Sequence, residues 1–187
     1  LIKISVGLTL FVPLLVMPST FIFPFIVPKA LVFRSLLVIA TCGYLLLFYY
    51  GKTKRIALDA VSIAVLVFFS SLTISTFVGE GWHRSFWDNH ERMLGLFTLF
   101  HFVAYYYVCR QMLSEWKDWV VYARWFILAA SAVMMVGILQ RLQPDLLINR
   151  GALRVASTLG NAIYVGGYGV FLVCLGLITF FHEKSKN

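Results

Sequence analysis

Charge is scarce in this chain. Asp, Glu, Lys and Arg make up 13% of its 187 residues, where a soluble domain carries about 25%. With 60% hydrophobic and 17% aromatic residues, that shortage excludes an ordinary water-soluble globule and points to the membrane class. Cysteine is scarce too. Cys42, Cys109 and Cys174 lie inside apolar stretches, and an odd count without metal-ligand spacing supports neither a disulfide framework nor a metal site. Buried cysteine of this kind is a small hydrophobe. Acidic residues number 8 against 16 basic ones, yet no basic run is interleaved with exposed aromatics as single-strand binders require. The net charge of +8 therefore fits anionic lipid headgroups or a phosphorylated lipid rather than nucleic acid.

What is present is a series of long apolar segments, over about 4–23, 30–50, 56–78, 93–110, 118–139 and 162–181. Each is near the roughly 20 residues that a helix needs to cross a bilayer. None alternates like a barrel strand, and hydrocarbon satisfies no exposed backbone group, so the spacing predicts helices. The expected fold is all-α: a polytopic membrane helix bundle of about six crossings forming one transmembrane domain over 1–187. The chain opens on Leu1 rather than Met and stops just after an apolar run, so it reads as a fragment of a longer membrane domain.

The middles of the segments hold almost no ionisable group besides His101. Ion-coupled transporters place carboxylates or bases near the midplane, so this absence counts against a pump. Orientation follows the Lys/Arg count in short loops. One side would hold Lys3, Lys52, Lys54, Arg55, Arg110, Lys117, Arg124, Lys184 and Lys186; the other Lys29, Arg34, Arg84, Arg92, Arg141, Arg150 and Arg154. Nine against seven places the N-terminus inside, weakly. Basic residues outside oppose that signal, so seven of them call for a second reason, either snorkelling to lipid phosphate or binding an anion.

Three stretches carry that second reason. In "RSFWDNHERMLGLFTLFH" (84–101), Asp88 and Glu91 have the spacing of a capping box for the fourth span. Asp88 and Arg92 would pair at i,i+4. Arg92 would sit at the mouth of that span, where a guanidinium can fork onto phosphate oxygens. His101, some three turns deeper than His90, reads as an interhelical hydrogen-bonding histidine. In "QRLQPDLLINRGALRVASTLGNAIYVGGYG" (140–169), Pro144 ends the fifth span and Arg150 and Arg154 have helical spacing. "STLGN" offers caps for the sixth span, whose N-terminus favours an anion. Gly160, Gly166, Gly167 and Gly169 would permit close approach, by packing for the last three. In "FPFIVPKALVFR" (23–34), Pro24 and Pro28 disfavour a continuous helix, which predicts a short outer loop carrying Lys29 and Arg34.

Together these stretches resemble the front half of the bacterial O-antigen ligase and O-antigen polymerase family. The likeness rests on "FPF…PK…FR", "SFWDNHERMLGLFT" and "R…STLGN" in that order, and extends over essentially the whole chain. Two positions depart from the family pattern: Ala162-Ile163 stand where Pro-Asn is common, and Asp88 where a Gly is usual. The resemblance implies a GT-C-like glycosyltransferase of the bacterial inner membrane serving cell-surface polysaccharide (lipopolysaccharide) synthesis. Such an enzyme moves a glycan from an undecaprenyl-pyrophosphate carrier to a lipid, glycan or protein acceptor. It implies no metal or other cofactor, because the lipid pyrophosphate is itself the leaving group. It also implies that Arg92 and Arg154, with Arg150, Arg34 and Lys29 in weaker roles, hold the pyrophosphate. The family's base, a histidine in a large outer loop, has no counterpart in these residues, and neither His90 nor His101 takes that role. A membrane solute transporter and a non-catalytic membrane scaffold are the alternative readings.

Overall fold

A computed structural model describes residues 1–18, 20, 23–53, 58–89, 91–147 and 154–184. It is all-helical, with no strand among the described residues. The helices are α1 (Ile2–Thr9), α2 (Val27–Tyr49), α3 (Ala60–Val78), α4 (Trp82–Trp87), α5 (Leu96–Met112), α6 (Trp116–Leu142) and α7 (Ala162–Lys184). Short 3₁₀ turns lie at Val12–Leu14, Pro144–Leu146 and Ser157–Leu159. Among the described residues, α2, α3, α6 and α7 are long and apolar enough to cross a membrane, with mean hydropathies from 1.7 to 2.2. The protein is a helical membrane protein.

Three expectations about the segments change. The stretch 4–23 is no single helix: α1 ends at Thr9, and Pro13 sits in the first turn of the following 3₁₀ turn. A proline ring inside a continuing helix would clash with the carbonyl one turn back and remove a hydrogen bond, so the helix stops before it. Pro28, by contrast, does not hold Lys29 and Arg34 in a loop. It occupies the first turn of α2, where its missing N–H has no partner to lose. Both cations therefore project from helix. Finally, α5 has 17 residues, roughly 26 Å at 1.5 Å per residue. It begins later than expected, because the residues before Leu96 are committed to a turn.

The spans are apolar around their whole circumference. In α3, Val67 is 64% exposed and Phe68 65%; lipid, not protein, is the solvent for such faces. Two compact units are present, Leu1–Val6 with Ala30–Ser114, and Gly7–Lys29 with Glu115–Asn187. In the first, the core is built from Leu37, Ala40 and Tyr44 of α2 and Leu96, Val108 and Cys109 of α5. One end of the α3–α5 pair is tied by a polar network. Asp59 caps α3, its Oδ1 accepting from the Ser62 N–H at 2.9 Å and from Arg110 at 2.8 Å. Arg110 also donates to the buried Ser62 hydroxyl, which pairs with the Tyr106 hydroxyl at 3.2 Å. Donated bonds, the Ser62 N–H foremost, hold the Asp59 carboxyl below its ordinary range.

In the second unit, Ala129, Ala130 and Val133 on α6 are fully buried. Small side chains there let neighbouring backbone approach closely. Pro144 terminates α6 as expected and starts the 3₁₀ turn that follows.

Candidate functional site

Of the five basic residues singled out above, the four described ones lie on, beside or against two turns, one in each unit. The first turn runs from Asp88 to Gly95, between α4 and α5. It is not the expected first turn of the fourth span. Asp88 is the C-cap of α4, with φ of 62°, and its Oδ2 accepts from the Leu94 N–H at 2.8 Å across the loop. The cap residue of α5 is Gly95, which has no side chain to cap with. Asp88 thus pins a loop instead of starting a helix. Asp88, Asn89, Glu91 and Arg92 are not helical, so the i,i+4 pair with Arg92 does not form as such. The Leu94 N–H, then the Asn89 N–H, hold the Asp88 carboxyl below the ordinary carboxylate range, and the Arg92 and Arg84 charges add to this.

Gly95 is required where it stands. A Cβ there would overlap the Phe86 carbonyl oxygen and lie 2.7 Å from the Asp88 nitrogen, so any side chain would push α4 off the start of α5. Arg34 locks the same turn from α2. Its guanidinium donates to the Met93 carbonyl at 3.1 Å and to the Thr98 hydroxyl, and lies 5.1 Å from the Phe97 ring centre. Met93 itself is left-handed, with φ of 52°, an uncommon conformation for a long side chain. Arg34 therefore stabilises the loop. Arg92 differs: its N–H donates to the Asn89 side chain at 2.8 Å, and the residue is exposed.

The second turn, Ala156–Asn161, joins the run of 3₁₀ structure to α7. Lys29 donates to the Thr158 carbonyl and its ammonium lies 5.6 Å from the Phe25 ring centre. Gly160 has φ of 79°, and a Cβ on it would come within 2.8 Å of Phe25. Both facts restrict the position to glycine. Ser157 does not cap α7. It is fully buried, its N–H bound by Gln140 Oε1 at 2.8 Å and its hydroxyl donating to the Val133 carbonyl at 2.6 Å. The cap is Asn161, whose Oδ1 accepts from the Ile163 N–H at 2.9 Å. Arg154 is exposed just ahead of this turn. Arg150 and His90 lie outside the described residues, so the spacing of Arg150 to Arg154 carries no geometry.

His101 makes no interhelical bond of the expected kind. Its Nδ1 meets the Phe97 carbonyl at 2.8 Å, one turn back on its own helix. The carbonyl can only accept, so Nδ1 carries the proton. Of the glycines on α7, only Gly169 meets a neighbour, Met134, while Gly166 and Gly167 face open space. Thus the close approach sits at Gly160.

Two structural residues escaped the sequence reading, Gln140 and Thr98. Gln140 was legible in principle, as the one amide in the apolar run "VMMVGILQ" (133–140), where an unpartnered side chain is expensive. Thr98 gave no signal.

Compared with protein-family models, with curated proteins and with solved structures, the chain matches none.

Proposed function

We propose that this chain is the front part of an integral membrane glycosyltransferase. It would move a glycan from an undecaprenyl-pyrophosphate carrier to a lipid or glycan acceptor, as an O-antigen ligase or polymerase does. In this reading the fold is GT-C-like, α5 is one of about six crossings, the N-terminus is cytoplasmic and the membrane is the bacterial inner one. Membrane lipids surround it, and no metal or nucleotide cofactor takes part.

The observation that carries the proposal is the division of labour among the cations. Lys29 and Arg34 donate to backbone carbonyls and brace two turns. Arg92 and Arg154, on those turns or beside them, remain exposed. In this reading Arg92, on the turn that Arg34 braces, and Arg154, just ahead of the turn that Lys29 braces, act as preorganised donors. Such donors act where charge develops on a departing oxygen, because they need no rearrangement at the moment of reaction. Left-handed non-glycine residues in both turns, Asp88 and Met93 in one and Ser157 in the other, are the sort of local strain that persists where surrounding contacts over-determine it.

The resemblance supports the roles assigned. By it, Arg92 and Arg154 are each assigned to diphosphate binding, while Lys29 and Arg34 position the turns. Arg150 joins the first group by resemblance only. The test is transfer from a polyprenyl-diphosphate-linked glycan in membranes containing the protein. Arg92→Ala and Arg154→Ala should each lower the rate on the order of 10²–10³-fold with insertion unchanged. Wild-type transfer by both variants would overturn the reading.

A further inference from the structure

Away from these turns, the start of α6 and the end of α7 are joined by a contact that only one protonation state of a histidine permits. The Trp116 indole Nε1 lies 2.8 Å from His182 Nε2, with the ring centres 5.1 Å apart and the rings edge-on. An indole N–H only donates, so Nε2 must offer a lone pair and His182 must be neutral with its proton on Nδ1. Both residues line a cleft of about 330 Å³ between the two helices, whose other walls include Val120, Ala123, Leu175 and Ile178.

We propose that Trp116 and His182 form a proton-released latch on this cleft. Uptake of a proton puts a hydrogen on Nε2, so two N–H groups then face each other and the bond is lost. The imidazolium keeps a favourable alternative, since a cation is attracted to the face of an indole. The ring therefore swings from the edge of Trp116 toward its face, and the end of the cleft opens.

Charged groups flank the contact on both helices. On α6 and just before it, Lys117 pairs with Glu115 at 2.7 Å, and Asp118 and Tyr122 are engaged in further interactions. From α7, Glu183 pairs with Arg124 at 2.5 Å, and Lys184 follows in sequence. Both neighbouring carboxylates are thus held by cations, and the latch rests on the Trp116–His182 hydrogen bond.

The latch is tested on the labelled protein in lipid nanodiscs by following tryptophan indole N–H resonances from about pH 8 to pH 5. The chain has five tryptophans, and the Trp116 signal is assigned by its loss in Trp116→Phe. The expected result is a hydrogen-bonded Trp116 resonance at high pH that disappears in one protonation step. His182→Gln keeps an acceptor, so its Trp116 resonance should hold across the range. A pH-independent Trp116 signal in the wild type, or a step that survives in His182→Gln, overturns the proposal. Should that variant fail to fold, imidazole nitrogen spectra of the wild type decide: a bare Nε2 at high pH supports the latch, and a protonated one refutes it.

Discussion

The turn at 88–95 and the turn at 156–161 are built from the same parts and closed in different ways. Each takes a hydrogen bond from a basic side chain to a main-chain carbonyl, Arg34 to Met93 in one and Lys29 to Thr158 in the other. In each that cation lies near an aromatic ring, Phe97 or Phe25. Each contains a left-handed non-glycine residue and a glycine with no room for a side chain. They differ in the group that closes the loop. The first is pinned by the half-buried carboxylate of Asp88, the second by Gln140, which is completely buried. A charged clasp near water and a neutral clasp in the interior stabilise a turn through different physics, so they should fail under different insults.

The largest expected effect leaves both clasps intact. Removing the exposed arginines should abolish transfer by the factor given above without loosening either turn, so thermal unfolding of Arg92→Ala and Arg154→Ala should match wild type. Next comes Gln140→Leu. It strips the buried Ser157 N–H of its acceptor, and an unsatisfied buried group costs about 1–3 kcal/mol; denaturation in detergent would read this as a lowered midpoint. Gly160→Ala should lose about 1–2 kcal/mol from its left-handed backbone alone. A companion Phe25→Ala would relieve the steric part and leave the backbone part, a difference that a double-mutant comparison resolves.

Asp88→Asn is the mildest and the most dependent on pH. The folded carboxyl is held below its unfolded value, near 3.9. Its contribution to stability is therefore complete above that value, and it is lost as pH falls through the lower, folded one. Wild type should lose stability on acidification below about pH 4, and Asp88→Asn should lack that component. Equal acid sensitivity in the two proteins would show that the carboxylate clasp is immaterial.

Much of the fold was legible and little of the site. Apolar length alone located α2, α3, α6 and α7, because crossing hydrocarbon demands a helix of fixed reach and allows few charges. The same rule overreached at 4–23, where Pro13 interrupts a run whose composition was otherwise suitable. It overreached again before Leu96, where apolar residues belong to a turn. Helix-start grammar failed at Asp88 because a capping aspartate and a loop-pinning aspartate look alike in sequence. Only the position of Leu94, six residues on, separates them. Lys29 and Arg34 stood out in the sequence by their charge, but a basic side chain that braces a carbonyl and one left exposed are the same letter. Which one it is depends on partners distant in sequence, Thr158 for Lys29 and Met93 for Arg34.

The most direct test of that distinction is the binding of a polyprenyl diphosphate to the protein in nanodiscs, measured for Arg92→Ala, Arg154→Ala and Lys117→Ala. Losing one charged hydrogen-bonding group should weaken binding about 10- to 100-fold in the first two. Lys117→Ala removes a cation already paired with Glu115, and should bind as wild type does. Unchanged affinity in both arginine variants, or an equal loss in all three proteins, would contradict the account, because the lipid would then not be reading those two guanidinium groups.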